Sequence, residues 1–209
     1  FSDLNHSLLF FTIRTIRPTT RSASIADPRR PAIHLVIKIQ IHHILRPQQA
    51  IKEERICSMT TTIELTGRTA VVTGASNGIG RATAILLAEH GAAVFAADWK
   101  HLDENAGRFA ELGIVELNCD VKRESDLAET IGEAVRRTGR LDILVNNAGI
   151  GMVMPIEDVT ESDWDNCIDT NLKGAFFGCR HAVAPMRDAG GGSIVNMSSN
   201  AGLLPRSHD

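Results

Sequence analysis

Thr73-Gly74-Ala75-Ser76-Asn77-Gly78-Ile79-Gly80 follows the apolar run Ala70-Val71-Val72 and leads into a helical pattern that opens near Gly78. Glycine at these positions permits a positive φ or a close approach of backbone to a ligand. A helix that starts there presents unpaired N–H groups and the positive end of its dipole. A pyrophosphate fits such a place. Glycine spacing alone is weak evidence; the strand before it and the helix after it give it the required context. Gly80 also lets the helix pack closely on the strand. Gly74, Ser76, Asn77, Gly78, Ile79 and Gly80 are the candidate phosphate-side residues.

The next apolar run, Ala93–Ala97, ends at Asp98, 18 residues after Gly80. An acid at that place accepts hydrogen bonds from the adenosine ribose hydroxyls and repels a 2′-phosphate. Neither Arg nor Lys occupies position 77, and Lys100 is the only base near Asp98. The expected cofactor is therefore NAD, with NADP less favoured.

Further along, runs of strand length alternate with helical periods. Thr69–Thr73, Ala93–Ala97, Ile114–Cys119, Leu141–Val145 and Ser193–Met197 read as strands. Leu127, Ile131, Ala134 and Val135 share one helix face, and Trp164, Cys167, Ile168 and Leu172 share another. The second of these helices begins at Thr160, whose hydroxyl can cap the first turn, with Asp163 three residues on. Strands that alternate with helices predict right-handed crossovers and an α/β fold, a parallel sheet with helices on both faces.

Four stretches in order resemble the short-chain dehydrogenase/reductase family: the loop at 73–80, Cys119-Asp120-Val121, Asn146-Asn147-Ala148-Gly149, and Asn196-Met197-Ser198-Ser199-Asn200-Ala201-Gly202. The resemblance runs from about Ile63 to Asp209. It implies a Rossmann-type doubly wound parallel sheet, incomplete at its C-terminal side. It implies an NAD(P)-dependent oxidoreductase that interconverts a secondary alcohol and a ketone by hydride transfer. By position, Asp120 and the Val121 backbone would hold the adenine edge, and Asn147, Ala148 and Gly149 would line the cofactor. Ser199 matches the catalytic serine that hydrogen-bonds the substrate oxygen. Asn171, in Asp169-Thr170-Asn171-Leu172-Lys173-Gly174, matches the asparagine of a water-mediated proton relay. The partner implied is a small-molecule alcohol or ketone, and the parent is expected to be a homo-oligomer.

The family pattern completes the site with a Tyr-x-x-x-Lys helix shortly after the serine, the Tyr acting as general acid/base. This sequence has no Tyr, and Asp209 lies ten residues past Ser199. The expectation is a chain cut short before the catalytic tyrosine, without turnover and with Ser193–Met197 as an open sheet edge. The alternative is a non-catalytic NAD-binding module.

Residues 1–58 differ in character from residues 59–209. All 17 glycines follow residue 58, while four of the seven prolines precede it. The first segment holds 9 Lys/Arg against 4 Asp/Glu; the second holds 13 against 21. An acidic main segment argues against nucleic acid as partner. Residues 1–30 have the composition of a transit peptide, and Ile33, Leu35, Ile37, Ile39 and Ile41 alternate like a strand. Three readings of residues 1–58 stay open: translated sequence upstream of a start at Met59, a targeting extension expected to be disordered, or a small folded domain. The expected location is cytoplasmic, or organellar if the segment is a transit peptide. No apolar run reaches the roughly 18 residues of a membrane helix, so no membrane partner is expected. Cys57, Cys119, Cys167 and Cys179 lack metal-ligand spacing, and His34, His42 and His43 lack a nearby carboxylate or Cys. No metal site is expected.

Overall fold

The computed structural model describes residues 11–16, 63–100 and 103–199, the first of these as backbone only. Six strands form one sheet: β1 (Phe11–Ile16), β2 (Thr69–Thr73), β3 (Ala93–Asp98), β4 (Val115–Asn118), β5 (Ile143–Asn146) and β6 (Gly192–Met197). The helices are α1 (Gly78–Glu89), α2 (Asp103–Glu111), α3 (Glu124–Thr138), α4 (Glu161–Ile168) and α5 (Gly174–Asp188), with a π-helical turn at Asp169–Lys173. These elements belong to one compact unit. The alternating segment at 33–41 and the histidines at 34, 42 and 43 lie outside the described residues.

The strand order is β1-β6-β5-β2-β3-β4. From β2 through β6 every pairing is parallel. The parallel part of the sheet starts in the middle at β2, builds outward through β3 and β4, then crosses back to β5 on the other side of β2. Such a reversal leaves a crevice at the carboxyl ends of the two central strands. The predicted α/β fold is therefore present, with strand bounds shifted by one or two residues.

Strand pleating divides the apolar residues between two faces. Val71, Phe95, Leu144 and Ile194 form one core cluster with Ile131 and Ala134 of α3 and with Ala182 and Met186 of α5. Ala70, Val72, Val94 and Ala96 alternate with that set and are also buried. Helix α1, which packs on β2 and β3 through Ala84 and Leu87, covers this second face. Central parallel strands buried on both sides read as continuous apolar runs, as Val71-Val72 and Leu144-Val145 do.

Below the sheet, the buried Asp142 accepts hydrogen bonds from Thr69 N–H, Arg68 Nη1 and Arg140 Nε. Burial opposes its ionisation, but the bonds from Arg140, Thr69 and Arg68 outweigh that and hold its carboxyl below the ordinary value.

Three expectations are corrected. Ser193–Met197 is not an open edge: β1 pairs with it antiparallel, Phe11 opposite Met197 and Ile16 opposite Gly192. Composition did not announce a strand at 11–16, because edge pairing is a backbone interaction with weak side-chain demands. Residues 1–58 are accordingly not wholly an extension outside the fold. Lastly, Trp164 and Leu172 do not face the core; they are 57% and 64% exposed. Trp164 belongs to α4, which buries none of its residues, and Leu172 to the π-helical turn after it, where the 3.6-residue phase no longer holds.

Candidate cofactor site

Helix α1 opens at Asn77, which is extended (φ −147°) and makes no side-chain cap. No acidic residue occupies its first turn. The first amides of the helix thus lack intrahelical acceptors and face an uncompensated dipole. Gly78 has φ +52°, and nothing lies within 4 Å of where a Cβ would stand. Its need for glycine is conformational, and the space above it is open. Gly80 is the opposite case: a Cβ would sit 2.1 Å from the Gly74 carbonyl oxygen and 2.4 Å from Asn147 Nδ2. Here glycine is needed for contact.

The loop is tied to the end of β5 through Thr73. Its Oγ1 accepts from Asn147 N–H at 3.0 Å and Ala148 N–H at 3.1 Å. Asn147 Nδ2 donates to the carbonyls of Thr73 and Gly74, each at 3.0 Å. Two motifs 74 residues apart in sequence are thereby locked into one surface. At the end of β3, the buried Asp98 accepts from Ser76 N–H at 2.9 Å and from Lys100 N–H at 3.2 Å.

An open cavity of about 630 Å³ lies over these strand ends. Gly74, Asn77, Gly78, Ile79, Asp98, Asp120, Val121, Asn147, Ala148 and Gly149 line it, all named from the sequence. Ser76 and Gly80 lie beneath the loop, both buried. Asp120 accepts from Lys122 N–H at 3.1 Å, which closes a tight turn after β4. Val121 is buried against Gly174, where a Cβ would come within 3.0 Å.

Asn171 lies in the π-helical turn, not in a regular helix interior. Its Oδ1 accepts from Ile150 N–H at 2.8 Å, and its Nδ2 donates to the Ile150 carbonyl at 2.9 Å. Ile150 lines the cavity, so Asn171 reaches it through that residue. Ser199 is exposed two residues beyond β6 and is not part of the cavity lining.

Sequence reading missed Thr73 as a hub, and Trp99, Cys119, Lys122, Asn166 and Thr170 as lining residues. Trp99 is 73% exposed beside Asp98, and an aromatic next to an acid at a strand end is a signal that could have been read. Asn166 and Thr170 carry no such signal, since only tertiary packing brings α4 and the π-helical turn after it to this wall. Burial pushes the Cys119 thiol up to about 11. Among the described residues no group of His, Cys, Asp or Glu is arranged to hold a metal ion.

Residues 68–209 match the family model for short chain dehydrogenase. The chain is 39% identical over 142 residues to momilactone A synthase of Oryza sativa subsp. japonica, covering 65% of this chain and 51% of that protein. It is 35% identical over 141 residues to an NAD-dependent glycerol dehydrogenase of Listeria innocua, covering 67% and 56%. With D-threitol dehydrogenase of Mycolicibacterium smegmatis it shares 36% over 154 residues, 70% and 58% of the two chains. A crystal structure described as a short-chain alcohol dehydrogenase from Sinorhizobium meliloti 1021 superposes with a TM-score of 0.57 at 43% identity, covering 61% of this chain and 52% of that one. The chain spans about half the length of the curated relatives it matches. Motif order, sheet topology and similarity agree, and the chain belongs to the short-chain dehydrogenase family.

Proposed function

We propose that this chain binds NAD across the ends of β2, β3, β4 and β5, and that its parent enzyme interconverts a secondary alcohol and a ketone. One observation carries the reading: the open start of α1, the ribose-side acid Asp98, the Asp120-Val121 turn and Asn147–Gly149 all line one cavity. The amides at the opening of α1 hold the pyrophosphate. Asp98 retains acceptor capacity beyond its two backbone bonds and takes the ribose hydroxyls. The Asp120-Val121 turn borders the adenine. The nicotinamide, when bound, supplies or accepts the hydride.

At the reacting end this chain contributes position. Asn171 fixes the Ile150 backbone, which forms the wall there. Ser199 orients the substrate oxygen. Ile150, Met152, Val153 and Met154 are exposed apolar residues that suit a substrate with hydrocarbon character. The alcohol dehydrogenases among the relatives, one of them NAD-dependent by name, support this substrate class and cofactor. The sequence has no tyrosine, so these 209 residues hold no phenol to act as acid or base. On its own this chain binds cofactor and does not turn over.

Titration of the 209-residue chain with NADH, followed by nucleotide fluorescence, tests the proposal. Saturable binding that is weakened by Asp98→Ala and stronger than NADPH binding is expected. Absence of NADH binding would sink it, and steady NAD-dependent alcohol oxidation would sink the statement about turnover.

A further inference from the structure

Asn105 is wholly buried in the first turn of α2, and Phe109 one turn on is buried with it. Its Nδ2 donates to the Ser76 carbonyl at 2.7 Å. Ser76 then makes two more ties. Its N–H donates to Asp98 Oδ2 at 2.9 Å, and its hydroxyl donates to the Lys100 carbonyl. Lys100 N–H closes the ring by donating to Asp98 Oδ1 at 3.2 Å. The phosphate-side loop, the acid at the end of β3 and the start of α2 are thus joined through one residue, Ser76.

Two consequences follow. Both oxygens of Asp98 are held by backbone amides, so the carboxylate cannot rotate away from the cavity without breaking a bond. Asn105 itself keeps an unpaired acceptor: its Oδ1 is buried with no hydrogen-bond partner. A buried acceptor without a donor is costly, and an apolar side chain of similar size would avoid that cost. Packing alone does not account for an asparagine at this place; the bond to Ser76 does.

We propose that Asn105 is a positioning residue for cofactor selectivity. It does not line the cavity. It holds Ser76, and through Ser76 it fixes the Asp98 carboxylate where a free ribose diol is accepted and a 2′-phosphate is repelled. Rejection of NADP then depends on how rigidly the acid is held, as well as on its charge, because specificity is a difference between two affinities. The inference rests on the NAD-binding reading above.

The test measures NADH and NADPH affinities for the full 209-residue chain and for Asn105→Leu and Ser76→Ala, with thermal unfolding of each. The wild-type chain prefers NADH. Each variant narrows that preference by about three- to tenfold, the factor set by loss of one hydrogen bond. Asp98→Ala abolishes the preference, and adding Asn105→Leu to it changes the ratio no further. If Asn105→Leu does not fold, Asn105→Ala, which removes the same donor to the Ser76 carbonyl without adding bulk, decides by the same ratio. Equal weakening of both nucleotides, or an unchanged ratio, overturns the positioning role and leaves NAD binding intact. If the wild-type chain binds neither nucleotide, the NAD reading fails and this one with it.

Discussion

The side-chain amide of Asn171 pairs with both backbone groups of Ile150, accepting from its N–H at 2.8 Å and donating to its carbonyl at 2.9 Å. Ile150 lies in the loop after β5, 21 positions before Asn171 in sequence. The π-helical turn at Asp169–Lys173 is where the asparagine stands. A regular helix interior disfavours Asn; here the side chain replaces the strand partner that the backbone at Ile150 lacks. Asn171→Ala should therefore raise hydrogen exchange at the Ile150 amide while lowering global stability by only about 1 kcal/mol, since the bonds lie in an exposed region. Unchanged exchange at Ile150 in amide-resolved measurements would contradict this.

Gly78 and Gly80 should respond differently to alanine. At Gly80 the added methyl meets the Gly74 carbonyl at 2.1 Å, so the loop must move. Overpacking of that kind costs about 1–3 kcal/mol, and the displaced loop should lose NADH binding. At Gly78 there is open space, and the cost is the left-handed backbone alone, about 1–2 kcal/mol. Denaturant unfolding and NADH titration of both variants would show whether Gly80→Ala is the more damaging to binding.

Asp142 sets an acid limit. Its carboxyl is held below the ordinary value in the fold by Arg140, Thr69 N–H and Arg68, despite burial. A depressed folded value means the unfolded chain binds the proton more readily. The stabilisation is therefore complete above the unfolded value of about 4 and is lost as pH falls below it. Asp142→Asn should lower stability by about 1–3 kcal/mol at neutral pH, leaving two arginines without their carboxylate. The gap between variant and wild type should close toward pH 3, which unfolding curves across the acid range would reveal.

Cys119 should be the slowest of the three described cysteines to alkylate. It is 2% exposed, and burial lifts its thiol to about 11. At pH 8 only about one molecule in a thousand carries the thiolate, the nucleophilic form. Cys167 and Cys179 are both less deeply buried. Mass spectrometry after timed iodoacetamide treatment gives the order directly, and early labelling of Cys119 would refute it.

The N-terminus of α4 offers a local check. Thr160 Oγ1 accepts from Asp163 N–H at 3.2 Å, and Asp163 Oδ2 accepts from Thr160 N–H at 3.1 Å, a reciprocal capping box. Thr160→Ala should cost about 0.5–2 kcal/mol. The carboxyl of Asp163, held low by the Thr160 hydroxyl and then its N–H, should titrate higher in the variant, as carboxyl chemical shifts would report.

What was legible in the sequence was local or periodic. The cap at Thr160 needs only four consecutive residues. The glycine loop needs a strand before it and a helix after it. Leu127, Ile131 and Ala134 repeat at helical spacing and are buried as that spacing requires. Trp164 and Leu172 repeat in the same way, yet they are exposed: α4 buries none of its residues, and at Leu172 a π-helical turn changes the phase, neither of which periodicity can register. Thr73 looked like the last residue of a strand; only the arrival of Asn147 and Ala148 makes its hydroxyl a hub.

The sequence by itself determined the α/β alternation, the glycine-rich loop at 73–80 and the acid at the end of β3, since each depends on residue type at short range. Tertiary structure alone decided that β1 covers the edge of β6, that Asn105 reaches Ser76, and that Asn171 holds Ile150. Those contacts join residues far apart along the chain through backbone groups, which every residue carries. No side-chain pattern encodes them, and they arise only when packing brings the donor and the acceptor together.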